Sequence, residues 1–127
     1  MEPFDTEVIK DIHRKVISKG PIEEESLRDC VRDEGTLSYT AISAEKISDP
    51  VAMAAFLLHR IATQHPFFEG NKRTAWAAAM CILDVYGHDV EENSILNNAF
   101  VRSVASGNVK EKDVAKWLKE RMRSLTE

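Results

Sequence analysis

Several features that would assign this sequence to a class are scarce or missing. Only two of its 127 residues are cysteines, Cys30 and Cys81, and their spacing forms no metal-type pair. We expect two reduced, buried thiols rather than a disulfide. No apolar run reaches the ~20 residues that a membrane span needs. The N-terminus shows no apolar signal-peptide segment, so a cytoplasmic protein without membrane contact is expected.

Positive charge is not in excess either. The net charge is −4, so the surface as a whole is unsuited to nucleic acid, and no direct nucleic-acid contact is expected. Any site for a polyanion must therefore be local. The chain contains 43% apolar and 30% charged residues, as an ordinary soluble globule does, and shows no linker or repeat. We expect residues 1–127 to form a single domain around one core.

What is present is a series of helical patterns, because apolar residues recur at spacings of three and four. They predict an all-α fold with helices over 5–19, 22–33, 50–63, 71–86, 93–106 and 110–125. Residues 36–48 stay open between one helical turn and a short extended piece. The helices of 50–63 and 71–86 are apolar on almost every face. We expect these two to pack antiparallel at the centre of a bundle, with the other helices around them.

The same patterns predict which side chains face the core. In the helix of 93–106 the inward residues are expected to be Ile95, Leu96, Ala99, Phe100 and Val104. In the last helix they are expected to be Val114, Trp117, Leu118 and Met122. We expect His59 in the core, and His13 and His88 at the surface. Gly87 is expected to end the helix before it in a left-handed conformation.

The chemistry is concentrated in a polar loop between the two central helices, at residues 65–76. This stretch reads His-Pro-Phe-Phe-Glu-Gly-Asn-Lys-Arg-Thr-Ala-Trp. A helix that begins at Gly70-Asn71 turns its first unpaired N–H groups and its dipole toward the loop, which makes an anion site. Lys72 and Arg73 add two cations there. A Gly-Asn-Lys triplet alone is weak evidence, because such residues also make ordinary helix caps.

Two further side chains of the loop can act on a bound phosphate. His65 can accept a proton, and Glu69 can hold a hard metal ion. A P-loop is excluded, because no glycine stands five positions before Gly70 and a helix precedes it. A zinc site is excluded as well, because no HExxH occurs and two ligands are too few. Phe67 and Phe68 are expected to anchor the loop by packing, with pocket lining as the alternative for one of them.

The stretch from His65 to Thr74 resembles the signature loop of the Fic/Doc superfamily, with all fixed positions of that motif filled. Residues 32–37 (Arg-Asp-Glu-Gly-Thr-Leu) resemble an Arg-Asp-x-Gly-x-Leu stretch common in the Doc branch. The resemblance implies a helical bundle with a small flap hairpin beside the loop. It implies that His65 is the general base and that Glu69 holds Mg²⁺ on the phosphates of ATP. Those phosphates would be cradled at the helix start by Gly70, Asn71, Lys72 and Arg73.

Two positions depart from the adenylylating Fic branch. That branch usually has glycine where this chain has Lys72, and a second arginine where it has Trp76. In both respects the chain is similar to Doc, a toxin of toxin–antitoxin pairs that resembles a protein kinase in outcome and modifies a translation factor. The region 36–49 also looks short for a full target-docking flap. No internal inhibitory Ser/Thr-x-x-x-Glu-x-Gly pattern occurs.

The predicted function is therefore that of a Doc-like toxin. It would transfer the γ-phosphate of ATP, with Mg²⁺, to a hydroxyl of a target protein, expected to be a translation elongation factor. A small antitoxin protein is the expected partner, because inhibition has no internal source. Two alternatives stay open: adenylyl (AMP) transfer of the Fic type, and a non-catalytic binding module that keeps the loop for packing only.

Overall fold

The computed structural model describes residues 4–17 and 31–124. Within these ranges the chain forms six helices and two short strands. Their order is α1 (Thr6–Ile17), α2 (Glu34–Glu45), α3 (Pro50–Gln64), α4 (Asn71–Val85), β1 (His88–Val90), α5 (Ser94–Ala105), α6 (Glu111–Arg121) and β2 (Met122–Ser124). The predicted all-α bundle is confirmed. None of the described helices combines the length and apolar character that crossing a membrane requires.

The two central helices form as their apolar patterns predict. The carboxylate of Asp49 accepts a hydrogen bond from the Ala52 N–H (2.8 Å) at the start of α3, where Pro50 is the first helical residue. After α4, Gly87 adopts the predicted left-handed conformation, with φ of +81°. α3 and α4 make the most extensive contact between described elements. Alanines let the two backbones approach closely, and the fully buried ones are Ala54, Ala55, Ala62, Ala75, Ala78 and Ala79.

α2 occupies the part of the chain that the sequence pattern left open. The carboxylate of Asp33 accepts a hydrogen bond from the Thr36 N–H (3.0 Å), which caps the start of this helix. Its apolar residues do not collect on one face, because Tyr39 and Ile42 are more than half exposed. The pattern was therefore too weak to identify the helix. A flap does not lie within 36–49, because most of that region is helical.

The helix predicted over 22–33 lies mostly outside the described residues. Its last three residues are described, and there the prediction is wrong. Val31 forms an isolated antiparallel bridge with Phe67 of the polar loop. The backbone N–H groups of Arg32 and Asp33 both donate to the carbonyl of Pro66, at 2.8 and 3.1 Å. The backbone of 31–33 is not helical because its hydrogen bonds go to the loop instead of along a helix.

The inward face of α5 differs from the prediction. Val104 and Val101 are buried and Phe100 is half-buried, whereas Ile95 is 81% and Leu96 50% exposed. The predicted Ala99 is exposed as well. Two helical stripes run through this helix, and both contain Phe100 and Val104. The chain buries the stripe that includes Val101, so spacing alone did not identify the correct one.

The two strands close the far end of the bundle. β1 and β2 pair antiparallel, with Val90 opposite Met122. Because α5 and α6 lie between them in the chain, they form no hairpin and are not the expected flap. β2 also replaces the end of the helix predicted over 110–125, so Met122 packs on the core from a strand. Val114 and Leu118 are fully buried as predicted, and Trp117 is half-buried.

The two cysteines were expected to be buried and reduced. Cys30 lies outside the described residues. Cys81 is a free thiol in α4 and is half-buried. Burial raises the pKa of this thiol, which keeps it protonated at neutral pH.

Candidate functional site

Two left-handed residues bracket the polar loop and reverse the chain between α3 and α4. His65 ends α3 with φ of 51° and ψ of 64°, and its N–H donates to the Ile61 carbonyl at 3.2 Å. Gly70 starts α4 with φ of 76°. His65 is the one non-glycine residue with positive φ among the described residues. A strained backbone of this kind persists only where its surroundings hold it, and here it leaves the imidazole exposed.

Arg32 holds the end of α3 and the beginning of the loop. Its Nη2 donates to the Gln64 carbonyl (2.7 Å) and its Nε to the His65 carbonyl (2.6 Å). These carbonyls belong to the last turn of the helix, where no helical N–H follows to bond them. The next residue, Asp33, caps α2, and hydrogen bonding to the Thr36 N–H lowers the pKa of its carboxyl. The Arg-Asp stretch therefore fixes the loop against two helices, a role that sequence reasoning did not assign.

The side chain of Asn71 closes the loop from the other end. Its Oδ1 accepts a hydrogen bond from the Phe67 N–H (3.0 Å), and its Nδ2 donates to the Phe67 carbonyl (2.8 Å). Asn71 is only 9% exposed. Because its amide group serves the loop, the part of Asn71 that an incoming anion can use is the backbone N–H at the start of α4.

His13 supports the loop from inside, so its predicted surface position is wrong. It is 1% exposed, and its ring stacks on Phe67 with centroids 3.8 Å apart and an interplanar angle of 6°. Its Nε2 lies 2.8 Å from the Glu69 carbonyl and donates to it when that nitrogen carries the proton. Ile9, His13 and Ile17 recur every four residues and are all buried. That spacing was the signal that could have identified His13 as buried. His59, expected in the core, and His88, expected at the surface, are both half-buried.

The first backbone donors of α4 lie outside the hydrogen-bond ladder of the helix. Gly70 provides no side-chain cap, and the first helical hydrogen bond runs from the Thr74 N–H to the Gly70 carbonyl (2.9 Å). Helix geometry therefore leaves the N–H groups of residues 71–73 without a helical acceptor. Together with the helix dipole they form an anion-accepting end. A Cβ on Gly70 would lie 2.6 Å from Cδ1 of the buried Ile17, so any other residue here would force the Ile17 side chain to move.

The predicted site residues meet at this helix start, but four of them are divided between two hollows, and Glu69 and Gly70 line neither. The first, here named the histidine hollow, has a volume of about 600 Å³ and is lined by Arg32, Thr63, Gln64, His65, Phe67, Phe68 and Asn71. The second, named the cationic hollow, has a volume of about 580 Å³ and is lined by Val16, Lys72, Arg73, Trp76, Ala77, Asn98, Val101 and Arg102. The first turn of α4 therefore separates His65 from Lys72 and Arg73.

The two phenylalanines of the loop have different surroundings. Phe67 is 1% exposed and packs in the core, as predicted. Phe68 is 56% exposed and lines the histidine hollow, which is the alternative that the sequence left open for one of the pair. A large apolar side chain at the surface beside an exposed histidine offers a contact to a bound polypeptide.

Glu69 is exposed and is the carboxylate nearest in sequence to the start of α4. Among the described residues no group of three or more His, Cys, Asp or Glu could hold a metal ion. A single carboxylate fits Mg²⁺, which keeps several waters and uses substrate phosphates as its other ligands. Glu69 therefore suits a metal ion that arrives with a nucleotide.

An uncapped helix start, two adjacent cations and an exposed histidine together form an arrangement that is suited to phosphate groups. The chain belongs to the Fic/DOC family, since the sequence model of that family matches residues 3–83, more than half of the chain. That match includes α1, α2, α3, the loop and most of α4. Comparison with curated proteins gives no match. Membership implies an enzyme that transfers a group from a nucleotide, and binding of both a nucleotide and a protein target.

We expect Gly70→Ala to destabilise the protein and to weaken phosphate binding. Gly107→Ala is a matched control, because Gly107 also has positive φ (83°) but a Cβ there would meet no atom within 4 Å. Both substitutions carry a left-handed penalty of about 1–2 kcal/mol. The clash with Ile17 should add about 1 kcal/mol or more at Gly70 alone. Equal free energies of unfolding for the two variants, measured in urea, would contradict this account.

We expect Arg32→Lys to loosen the loop, because an ammonium cannot donate to two carbonyls in the fork geometry of a guanidinium. Hydrogen exchange at the hydrogen-bonded amides of His65 and Phe67 should accelerate about tenfold, as expected for about one lost hydrogen bond. Arg123→Lys is the control, since Arg123 makes an exposed ion pair with Asp89 at 3.4 Å. Unchanged exchange in Arg32→Lys would show that Arg32 does not hold the loop.

Proposed function

We propose that this protein is a Doc-like enzyme that transfers the γ-phosphate of ATP to a hydroxyl group of a target protein. One observation carries the proposal: a single fastened loop presents both an exposed imidazole at His65 and the uncapped start of α4. A proton acceptor and a phosphate-accepting helix start are the two parts that such a transfer needs. The hydrogen bonds from Arg32 and Asn71 hold them in a fixed relation.

In the proposed reaction, His65 accepts the proton of the target hydroxyl as its oxygen attacks the γ-phosphorus. A new oxygen–phosphorus bond forms, the bond from that phosphorus to the bridging oxygen breaks, and ADP leaves with the electron pair. The N–H groups of residues 71–73 and the side chains of Lys72 and Arg73 stabilise negative charge on the phosphates. Mg²⁺ bound with the nucleotide would neutralise further phosphate charge, and Glu69 is the residue that would hold it.

The choice of the γ- over the α-phosphate rests on two side chains. Lys72 fills the volume that glycine would leave free in an adenylyl transferase, and its point charge attracts the most highly charged end of the nucleotide. Trp76 replaces an arginine that could hold the outer phosphates away from His65. Both features favour a nucleotide whose terminal phosphate lies beside the imidazole. Adenylyl transfer is the competing reaction, and labelled ATP distinguishes the two.

The proposal includes two protein partners. The target is a translation factor, and its hydroxyl-bearing segment enters the open histidine hollow, where the exposed Phe68 offers an apolar contact. The second partner is an antitoxin whose disordered segment folds as a helix beside the loop and blocks it. Folding on binding suits an inhibitor that must also be degradable.

ATP labelled at the γ- or the α-phosphate, added to cell extract with the purified protein, tests the reaction directly. We expect the γ-label to remain on protein and the α-label to be lost. His65→Ala should lower the transfer about 10²- to 10⁴-fold, the usual contribution of a general base. His88→Ala is the control, since β1 lies at the opposite end of α4, roughly 22 Å away at 1.5 Å per residue.

Retention of the α-label alone would overturn the kinase proposal and favour adenylyl transfer. Wild-type rates in a folded His65→Ala variant would contradict the role of the imidazole. Loss of the γ-label in Lys72→Gly would support the assignment of this side chain to the choice of phosphate. If neither label remains on protein and the protein binds no nucleotide, the result would favour a non-catalytic binding module.

We expect expression of the wild-type chain alone to arrest bacterial growth, because the proposed target is needed for protein synthesis. His65→Ala should relieve the arrest, and His88→Ala should not. Growth rate and the amount of soluble protein are measured together. Normal growth of cells that contain active wild-type enzyme would contradict the toxin assignment while leaving the phosphotransfer intact.

A further inference from the structure

We propose that the cationic hollow binds the nucleoside part of the nucleotide, with its base stacked on the ring of Trp76. The inference rests on the proposed function and specifies where the substrate lies. The hollow is lined by residues of α1, α4 and α5, and its volume of about 580 Å³ is within the ~300–1,000 Å³ usual for small-molecule sites. Its surface combines an aromatic ring, apolar side chains and cations, which matches a base, a ribose and a phosphate.

The spacing along α4 places these groups in the order that a nucleotide requires. Lys72 and Arg73 are the second and third residues of the helix, and Trp76 follows one turn later on the same face. One turn advances about 5.4 Å along the axis. A phosphate chain bound at the helix start can therefore leave its planar base beside Trp76, while Val16 and Val101 supply the apolar walls.

The ring of Trp76 is held in place before any ligand arrives. It packs edge-on against Trp117, with centroids 6.2 Å apart and an interplanar angle of 72°. Trp117 is itself fixed, because its ring stacks on Phe100 at 3.9 Å and the guanidinium of Arg121 lies 4.9 Å from its centroid. A ring fixed in advance loses little conformational entropy on binding, which makes it a suitable stacking surface.

The position of His65 agrees with this placement. The imidazole lines the histidine hollow, on the other side of the first turn of α4 from Trp76. A nucleotide with its base on Trp76 and its phosphates at the helix start directs its terminal phosphate toward His65. Arg102 contributes a further positive charge to the nucleoside side of the hollow. In this placement the phosphate chain passes Lys72 and Arg73 at the helix start before it reaches His65, which agrees with the γ-phosphate as the reacting group.

Two probes separate the contribution of the base to binding from that of the phosphates: ATP and inorganic tripolyphosphate. Each is titrated calorimetrically, with Mg²⁺, into the full chain, which carries His65→Ala to prevent turnover. We expect Trp76→Leu to weaken ATP binding about fivefold to about 150-fold, since base stacking contributes about 1–3 kcal/mol. Tripolyphosphate binding should stay within about twofold. Tyr86→Leu is the control, because Tyr86 is a 42% exposed aromatic residue at the far end of α4.

The outcomes distinguish this inference from the proposed function. If ATP binds and Trp76→Leu leaves its affinity unchanged, or weakens both probes equally, the nucleoside site is wrong and the proposed reaction is unaffected. If folded protein binds neither probe, both are wrong. Because Trp76 also packs on Trp117, a measurement without that substitution is needed. In protein with only His65 replaced, ATP should shift the Trp76 indole N–H resonance and tripolyphosphate should not; an unshifted resonance with ATP bound would overturn the site.

Discussion

The arrangement of the candidate site depends on the pair of hydrogen bonds between the Asn71 side chain and the backbone of Phe67. They connect the first residue of α4 to the middle of the loop, so the start of the helix and the closed loop stabilise each other. Phe67 in turn is fixed by its stacking on His13 and by its bridge to Val31. Breaking the two hydrogen bonds of this buried side-chain amide is costly, because a buried polar group left without a partner costs about 1–3 kcal/mol. The loop is therefore a rigid part of the fold.

This rigidity has a chemical consequence. An anion site made from backbone N–H groups works only if those groups already point at the ligand, because reorienting them at the moment of binding would cost free energy. α1 packs against the loop through His13 and Ile17, and Arg32 holds the end of α3. The residues that hold the loop are therefore drawn from elements that are distant in the chain. The proposed chemistry is left to the backbone N–H groups at the start of α4 and to the exposed side chains beside them.

The elements that could be predicted from sequence are those with a strong local signal. The two apolar helices, the Asp49-Pro50 start of α3 and the Gly70-Asn71 start of α4 follow from composition and capping residues that act within a few positions. The loop motif also identified the family to which the chain belongs. These features depend little on the rest of the fold, which is why the sequence alone predicted them.

What could not be predicted depends on contacts between distant segments. His13 has a polar side chain, and only its position between Ile9 and Ile17 indicates burial; its partner, the Glu69 carbonyl, lies 56 positions away. Arg32 bonds carbonyls more than thirty residues further along, and no local pattern marks such a contact. In α5 two apolar stripes overlap, and tertiary packing selects between them. The separation of His65 from Lys72 by the turn of α4 is likewise a property of the folded chain.

The proposed reaction requires that the backbone at the start of α4 accepts the anionic phosphates. Nuclear magnetic resonance of the ¹⁵N-labelled His65→Ala protein, titrated with ATP and Mg²⁺, tests it at the level of single amides. The largest shifts are expected on the N–H groups of residues 71–73, because phosphate oxygens accept hydrogen bonds from them. Saturable binding of ATP that leaves these amides unshifted would contradict it.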